Sequence, residues 1–164
     1  MTTSATDQGS DPVAVLREYV TGAALIQVAT ASSEQPWLAH VWYASDPDLG
    51  LYFLSNRERR HSYELRANPL VAAGIVRIDE FKGPGQTVRG VTLAGKCSEL
   101  EGVGLEMGYG FYRERWPQVD SMAPVAAMLS GESPMRIYQI DVDEYVLFDE
   151  LNFADAPRVL IDRW

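Results

Sequence analysis

Arg57, Arg59, Arg60, His61 and Arg66 crowd into ten residues of the stretch LYFLSNRERRHSYELRANPLVAAGIV (51–76). The whole chain holds 14 Lys+Arg against a formal charge of -9, so an even spread would put roughly one basic residue there. The chemistry such a cluster can do is anion binding. Guanidinium groups offer planar two-point hydrogen bonding to phosphate oxygens. A chain that leaves a strand at Ser55-Asn56-Arg57 and enters a helix over 57–67 aims free backbone N–H groups and the positive helix end at the same place. Arg57, Arg60 and His61 are close enough in sequence to converge on one phosphate. The same residues also fit a solvated helix face, with Glu58 and Glu64 pairing to arginines three or four positions away.

Strands are needed to position this bracket. Asp11 before Pro12 starts a helix with Val13, Leu16 and Val20 on one face, ended by Gly22. ALIQVATA (24–31) and WLAHVWYA (37–44) predict a hairpin. In its second strand Trp37, Ala39, Val41 and Tyr43 alternate with Leu38, His40, Trp42 and Ala44; both faces carry bulk, so both are expected to be covered. Strands follow at 51–54, 70–78 and 87–100, with the polar connection IDEFKGPG before the last. A helix over 101–116, loosened by Gly102, Gly104, Gly108 and Gly110, ends at Trp116-Pro117. A short helix over 125–129, a hairpin of 135–142 with 145–150 turning at Asp143-Glu144, and a terminal strand in RVLIDRW complete the reading. Tight turns between so many strands predict a mainly antiparallel barrel rather than βαβ layers.

The 164 residues, 46% hydrophobic and 23% charged, match one domain over 11–164, preceded by a small, polar, disordered stretch at 1–10. A net charge of -9 argues against general affinity for nucleic acid or anionic membrane, since both need a basic face. The opening residues carry no basic and apolar leader pattern, and no apolar run is long enough to span a bilayer. Cys97 is the single cysteine, which fits a reducing cytoplasm and excludes an intrachain disulfide.

The order of these features resembles the FMN-binding split-barrel family of pyridoxamine 5′-phosphate oxidase. The resemblance rests on strand 51–54, the basic turn, a helix ending L-x-x-N-P (Leu65, Asn68, Pro69), Val88-Arg89-Gly90 with LAGKCSEL after it, the helical insertion and the final hairpin. It covers roughly residues 13–150 and is nearest to short bacterial members of the family. It implies a split β-barrel of antiparallel, Greek-key type with peripheral α-helices, assembled as a homodimer with two flavin sites. By the same resemblance, FMN phosphate falls to Arg57, Arg60 and His61, with Ser55 and Asn56 adding polar contacts. Arg89 is expected beside the flavin, Gln86 and Thr87 near the ring's polar edge, and His40 and Trp42 on its other side. Many members have lysine where His61 stands, so phosphate affinity should be weaker or depend on pH. The oxidase's C-terminal tryptophan and arginine have no clear counterpart in Arg136 and Trp164. The implied activity is FMN-dependent oxidation or reduction of a small organic or nicotinamide substrate, which demands no catalytic acid or base. Deazaflavin F420, haem, or flavin binding without catalysis are the alternatives.

Other signals are thinner. Gly102, Gly104 and Gly108 lack the spacing of a dinucleotide fingerprint. His40 and His61 are the only histidines, and no CxxC or HExxH supports zinc. Cys97 reads as a buried strand residue, and Asp141, Asp143 and Glu144 as a turn. Tyr109, Phe111, Tyr112 and Trp116 read as packing or subunit contact, and could also wall a ligand cleft.

Overall fold

The structure is a computed structural model that describes residues 10–32, 35–77 and 86–162. The expected disordered start, except for Ser10, the IDEFKGPG connection (78–85) and Trp164 lie outside the described residues. The order is α1 (Pro12–Gly22), β1 (Leu25–Thr30), β2 (Trp37–Ser45), β3 (Leu51–Asn56), α2 (Arg60–Ala67), β4 (Leu70–Val76) and β5 (Arg89–Glu99). Then follow α3 (Gly102–Arg115), α4 (Val119–Met122), α5 (Val125–Leu129), β6 (Met135–Asp149) and β7 (Arg158–Asp162). The start of α1 is as the sequence predicts: Asp11 accepts from the Val13 N–H at 3.0 Å, and Pro12 stands where no amide is needed.

All strand pairings are antiparallel, in the order β3-β2-β1-β4-β5-β6-β7, and a further β3–β6 pairing closes the first six into a barrel. Three hairpin-linked strands with the fourth returning beside the first make β4-β1-β2-β3 a Greek key. Strand β6 splits the structure. One of its edges pairs with β5, while its other edge pairs first with β3 (Met135 to Ile140) and then with β7 (Glu144 to Phe148).

This corrects the expected hairpin at Asp143-Glu144: 135–149 is one continuous strand. The register steps from Ala94↔Glu144 to Gly95↔Val142, so Asp143 is the extra residue of a β-bulge. Gly95 makes the bulge possible, since a Cβ there would lie 2.3 Å from the Asp141 carbonyl oxygen. The helix expected over 57–67 begins only at Arg60. The Asn56 side chain accepts from the Glu58 N–H at 2.8 Å and its carbonyl from the Arg59 N–H at 3.1 Å, holding 56–59 as a turn.

Alternation along the strands builds two cores. Inside the barrel, Ile26, Val28, Tyr43, Leu51, Phe53, Leu93, Tyr138 and Ile140 pack with Leu16 and Val20 of α1. Outside it, Ala44, Tyr52 and Ile137 of β2, β3 and β6 meet Leu105, Tyr109 and Tyr112 of α3. The expected loosening of α3 by glycine meets a packing role at Gly108, where a Cβ would come within 3.0 Å of the side chains of Leu100, Ile137 and Tyr52. The outer face of β2 departs from expectation in the single chain: Leu38 is 52% and Trp42 53% exposed, whereas Val41 and Tyr43 are buried.

Candidate functional site

Strand β3 delivers Ser55 to the barrel's end on the inward side, following Leu51 and Phe53, and α2 lies across that end. Ser55 Oγ and His61 Nε2 share a hydrogen bond of 2.7 Å, and the His61 ring centroid lies 6.4 Å from that of Phe53. Burial, and after it the charge of Arg59, lower the His61 pKa below its ordinary value, leaving the imidazole neutral near pH 7.

The arginines do not converge as the sequence led us to expect. Arg57 Nε binds Glu99 at 2.8 Å. Around that carboxylate also stand Arg136 Nε at 3.6 Å, Arg66 at 3.8 Å and the Tyr138 hydroxyl, which donates at 3.1 Å. Arg60 turns the other way. Its Nε binds Glu64 at 2.8 Å, a second nitrogen donates to the Gln35 carbonyl at 3.2 Å, and the guanidinium lies 4.4 Å over the Trp37 ring. Glu64 itself is buried and accepts from Thr30 Oγ1 at 2.5 Å. The Arg60–Glu64 pair is thus the i,i+4 bridge of the plainer reading.

Arg59 was in the cluster but was not singled out. It occupies the N-cap position of α2, is exposed, and makes no side-chain hydrogen bond or ion pair among the described residues. No side chain caps that helix end either. The uncapped start of α2, Arg59 and the Ser55–His61 pair therefore form one electropositive corner. Asn56 supports it by closing the turn.

The remaining candidates lie elsewhere. His40 and Trp42 are on the outer face of β2, opposite in parity to inward-facing Val41 and Tyr43. Trp42 meets Trp116 edge to face, with centroids 5.1 Å apart at 75°. Arg89 pairs with Asp149 at the start of β5, while Glu99, the partner of Arg57, ends it; the usual rise of a strand sets these ends of the 11-residue β5 about 33 Å apart. Arg89 acts there on the Tyr19 hydroxyl, and half-buried Gln86 and exposed Thr87 precede it. No group of His, Cys, Asp and Glu fit to hold a metal occurs among the described residues. Cys97 is buried, and burial pushes its thiol well above the ordinary range.

No family model and no curated protein matches the sequence. Solved structures do match. A heme binding protein from Mycobacterium smegmatis superposes with a TM-score of 0.71 at 17% identity over 93% of this chain, which spans 59% of that protein. A candidate pyridoxamine 5′-phosphate oxidase from Listeria innocua gives 0.60 at 17% identity, covering 87% of this chain and 99% of the other. This chain has the pyridoxamine 5′-phosphate oxidase-like split-barrel fold. A third split barrel, a FAD-binding protein from Mesorhizobium loti, gives 0.59 at 19% identity over 82% of this chain and 90% of the other. The Mycobacterium smegmatis and Mesorhizobium loti proteins are described as binding heme and FAD on one barrel architecture, so in this split barrel the ligand must be argued from its own residues. No helix among the described residues is long and apolar enough to cross a membrane.

Proposed function

We propose that this split barrel binds FMN as a homodimer and acts as an FMN-dependent oxidoreductase on a small organic or nicotinamide substrate. The observation that carries the reading is the start of α2, an uncapped helix end beside Arg59, which has no ion-pair partner among the described residues. A phosphate monoester brings about 1.5 to 2 negative charges at neutral pH, and backbone N–H groups with an unengaged guanidinium suit it. Ser55, Asn56 and His61 line the same corner, while Arg57 and Arg60 add positive potential from either side. His40 and Trp42 are the side chains of β2 along which the ring would lie. Gln86, Thr87 and Arg89, at the far end of β5, reach a flavin held here only from a second chain. The flavin supplies hydride chemistry; this chain holds the phosphate and orients the ring. A deazaflavin F420 would use the same phosphate seat. A haem reading rests on His40, which is exposed and makes no hydrogen bond among the described residues, whereas His61 is held by Ser55.

FMN affinity carries a pH signature. Bound phosphate raises the lowered His61 pKa, so binding takes up a proton and tightens as pH falls below neutrality. FMN phosphate also titrates near pH 6, and a His61→Gln comparison cancels that part. The wild-type advantage over His61→Gln should grow between pH 7.5 and 5.5 in a fluorescence titration. A ratio independent of pH removes His61 from the site.

The seat for the second chain is the outer face of β2-β1-β4-β5. Across it run a row of small side chains, Ala29, Ala72 and Ala94, and a polar row, Gln27, Gly74 and Thr92 beside His40. Leu25, Leu38, Leu70 and Val76 are 42%, 52%, 57% and 57% exposed around them. Exposed apolar side chains around a patch of small ones are what an isologous dimer covers. Ala72→Arg should convert a micromolar dimer to monomer in sedimentation velocity. A monomeric wild type, or a variant dimer of unchanged strength, contradicts the assignment.

A further inference from the structure

We propose that a cavity outside the barrel, between β2, β3 and the α3–α4 corner, binds a neutral, single-ring aromatic compound that carries a hydrogen-bond acceptor. Trp42, Leu54, Tyr112, Trp116 and Val119 form its walls, and its volume is about 170 Å³. Size decides the class of ligand. An apolar cavity of about 150 Å³ holds benzene, whereas sites for drug-sized ligands begin at about 300 Å³. The cavity therefore has room for one ring. Trp42 and Trp116, at 75° to each other, offer it one face and one edge.

Polarity decides the rest. The Trp116 indole N–H donates to the Tyr43 carbonyl at 2.8 Å and is not available to a ligand. Tyr112 is a buried residue whose hydroxyl makes no hydrogen bond to the described residues and is not sealed from solvent, which leaves it open to a ligand. Burial pushes its pKa up to about 12, which keeps it a proton donor at neutral pH. Gln118 adds an amide at the wall, and none of the lining residues is charged. A charged ligand would lose its hydration there without a counter-charge; a carbonyl or similar acceptor on the ring gives the Tyr112 hydroxyl its partner.

The walls belong to one chain, so the cavity is tested without flavin, and Trp42 is shared with the proposed flavin site. The test is an NMR-monitored titration of the protein, without added flavin, with acetophenone, ethylbenzene and benzoate. Acetophenone is expected to bind saturably, roughly three- to tenfold tighter than ethylbenzene and at least about tenfold tighter than benzoate. Tyr112→Phe, which keeps the ring and the packing, should erase the preference for acetophenone over ethylbenzene. Leu54→Trp, which fills the cavity, should remove binding of both, with far-UV circular dichroism verifying its fold. Absence of saturable acetophenone binding, benzoate binding of equal strength, or a preference that survives Tyr112→Phe would overturn the proposal.

Discussion

Gly95→Ala is expected to destabilise this split barrel by about 3 kcal/mol or more, the upper end of what overpacking a close-packed interior costs. An added Cβ would lie 2.3 Å from the Asp141 carbonyl oxygen and 2.9 Å from Val142 Cα. Both atoms are backbone of β6, so no side-chain rotation relieves the clash; the β5–β6 ladder itself must move. That ladder runs from Arg89↔Asp149 to Glu99↔Tyr138 and carries the bulge at Asp143, so the damage reaches both halves of the barrel. Gly110→Ala is the control. Nothing lies within 4 Å of a Cβ there, and in exposed helix alanine gains up to about 1 kcal/mol over glycine. Urea unfolding should place the two variants on opposite sides of the wild type. Equal midpoints would mean that β5 and β6 do not approach as described.

The second large loss is expected from Asp149→Ala. Asp149 is fully buried. Its carboxylate accepts from the Tyr19 hydroxyl at 2.6 Å, from the Leu151 and Asn152 N–H groups at 2.9 Å each, and from the Asn152 side chain at 2.6 Å. Alanine leaves those donors without their acceptor, at a cost of about 3 kcal/mol or more, or a fall in Tm of roughly 6 to 12 °C for a chain of this size. Burial pulls the Asp149 pKa up, but the hydrogen bonds from Tyr19, Asn152 and Leu151 outweigh it and hold it below the ordinary 3.8. The stabilisation is therefore complete above pH 3.8 and is lost as pH falls through the lower, folded value. The gap in Tm between wild type and variant should narrow in that acidic window. A gap that stays constant into strong acid would remove the charge from the explanation.

What the sequence made legible follows from local rules. Asp11-Pro12 announced α1, because a cap and a proline act within one turn. The antiparallel barrel was legible in short strands joined by tight turns, whereas its Greek-key order came from the resemblance and depends on pairings between strands far apart in sequence. Asp143-Glu144 misled because two acidic residues suit a turn as well as they suit a bulge; the deciding residue, Gly95, lies on another strand. The arginines misled for a local reason. Arg57 and Arg60 share a face only if the helix starts at 57, and the Asn56 turn delays it to Arg60, so one reaches Glu99 and the other Glu64. That delay leaves Arg59 at the helix end without an ion pair. Arg89 was grouped with the bracket by resemblance alone, and only the length of β5 shows how far apart the two stand. The link between Trp42 and Trp116 joins residues far apart in sequence, so no periodicity could reveal it.

The most direct measurement is a titration of the purified protein with FMN, followed by visible absorbance after excess flavin is removed. The FMN reading predicts about one flavin retained per chain and strong weakening in Arg59→Ala, where the helix end keeps its N–H groups but loses its unengaged cation. Retention of no flavin, or flavin held equally well by Arg59→Ala, would contradict the site at the start of α2.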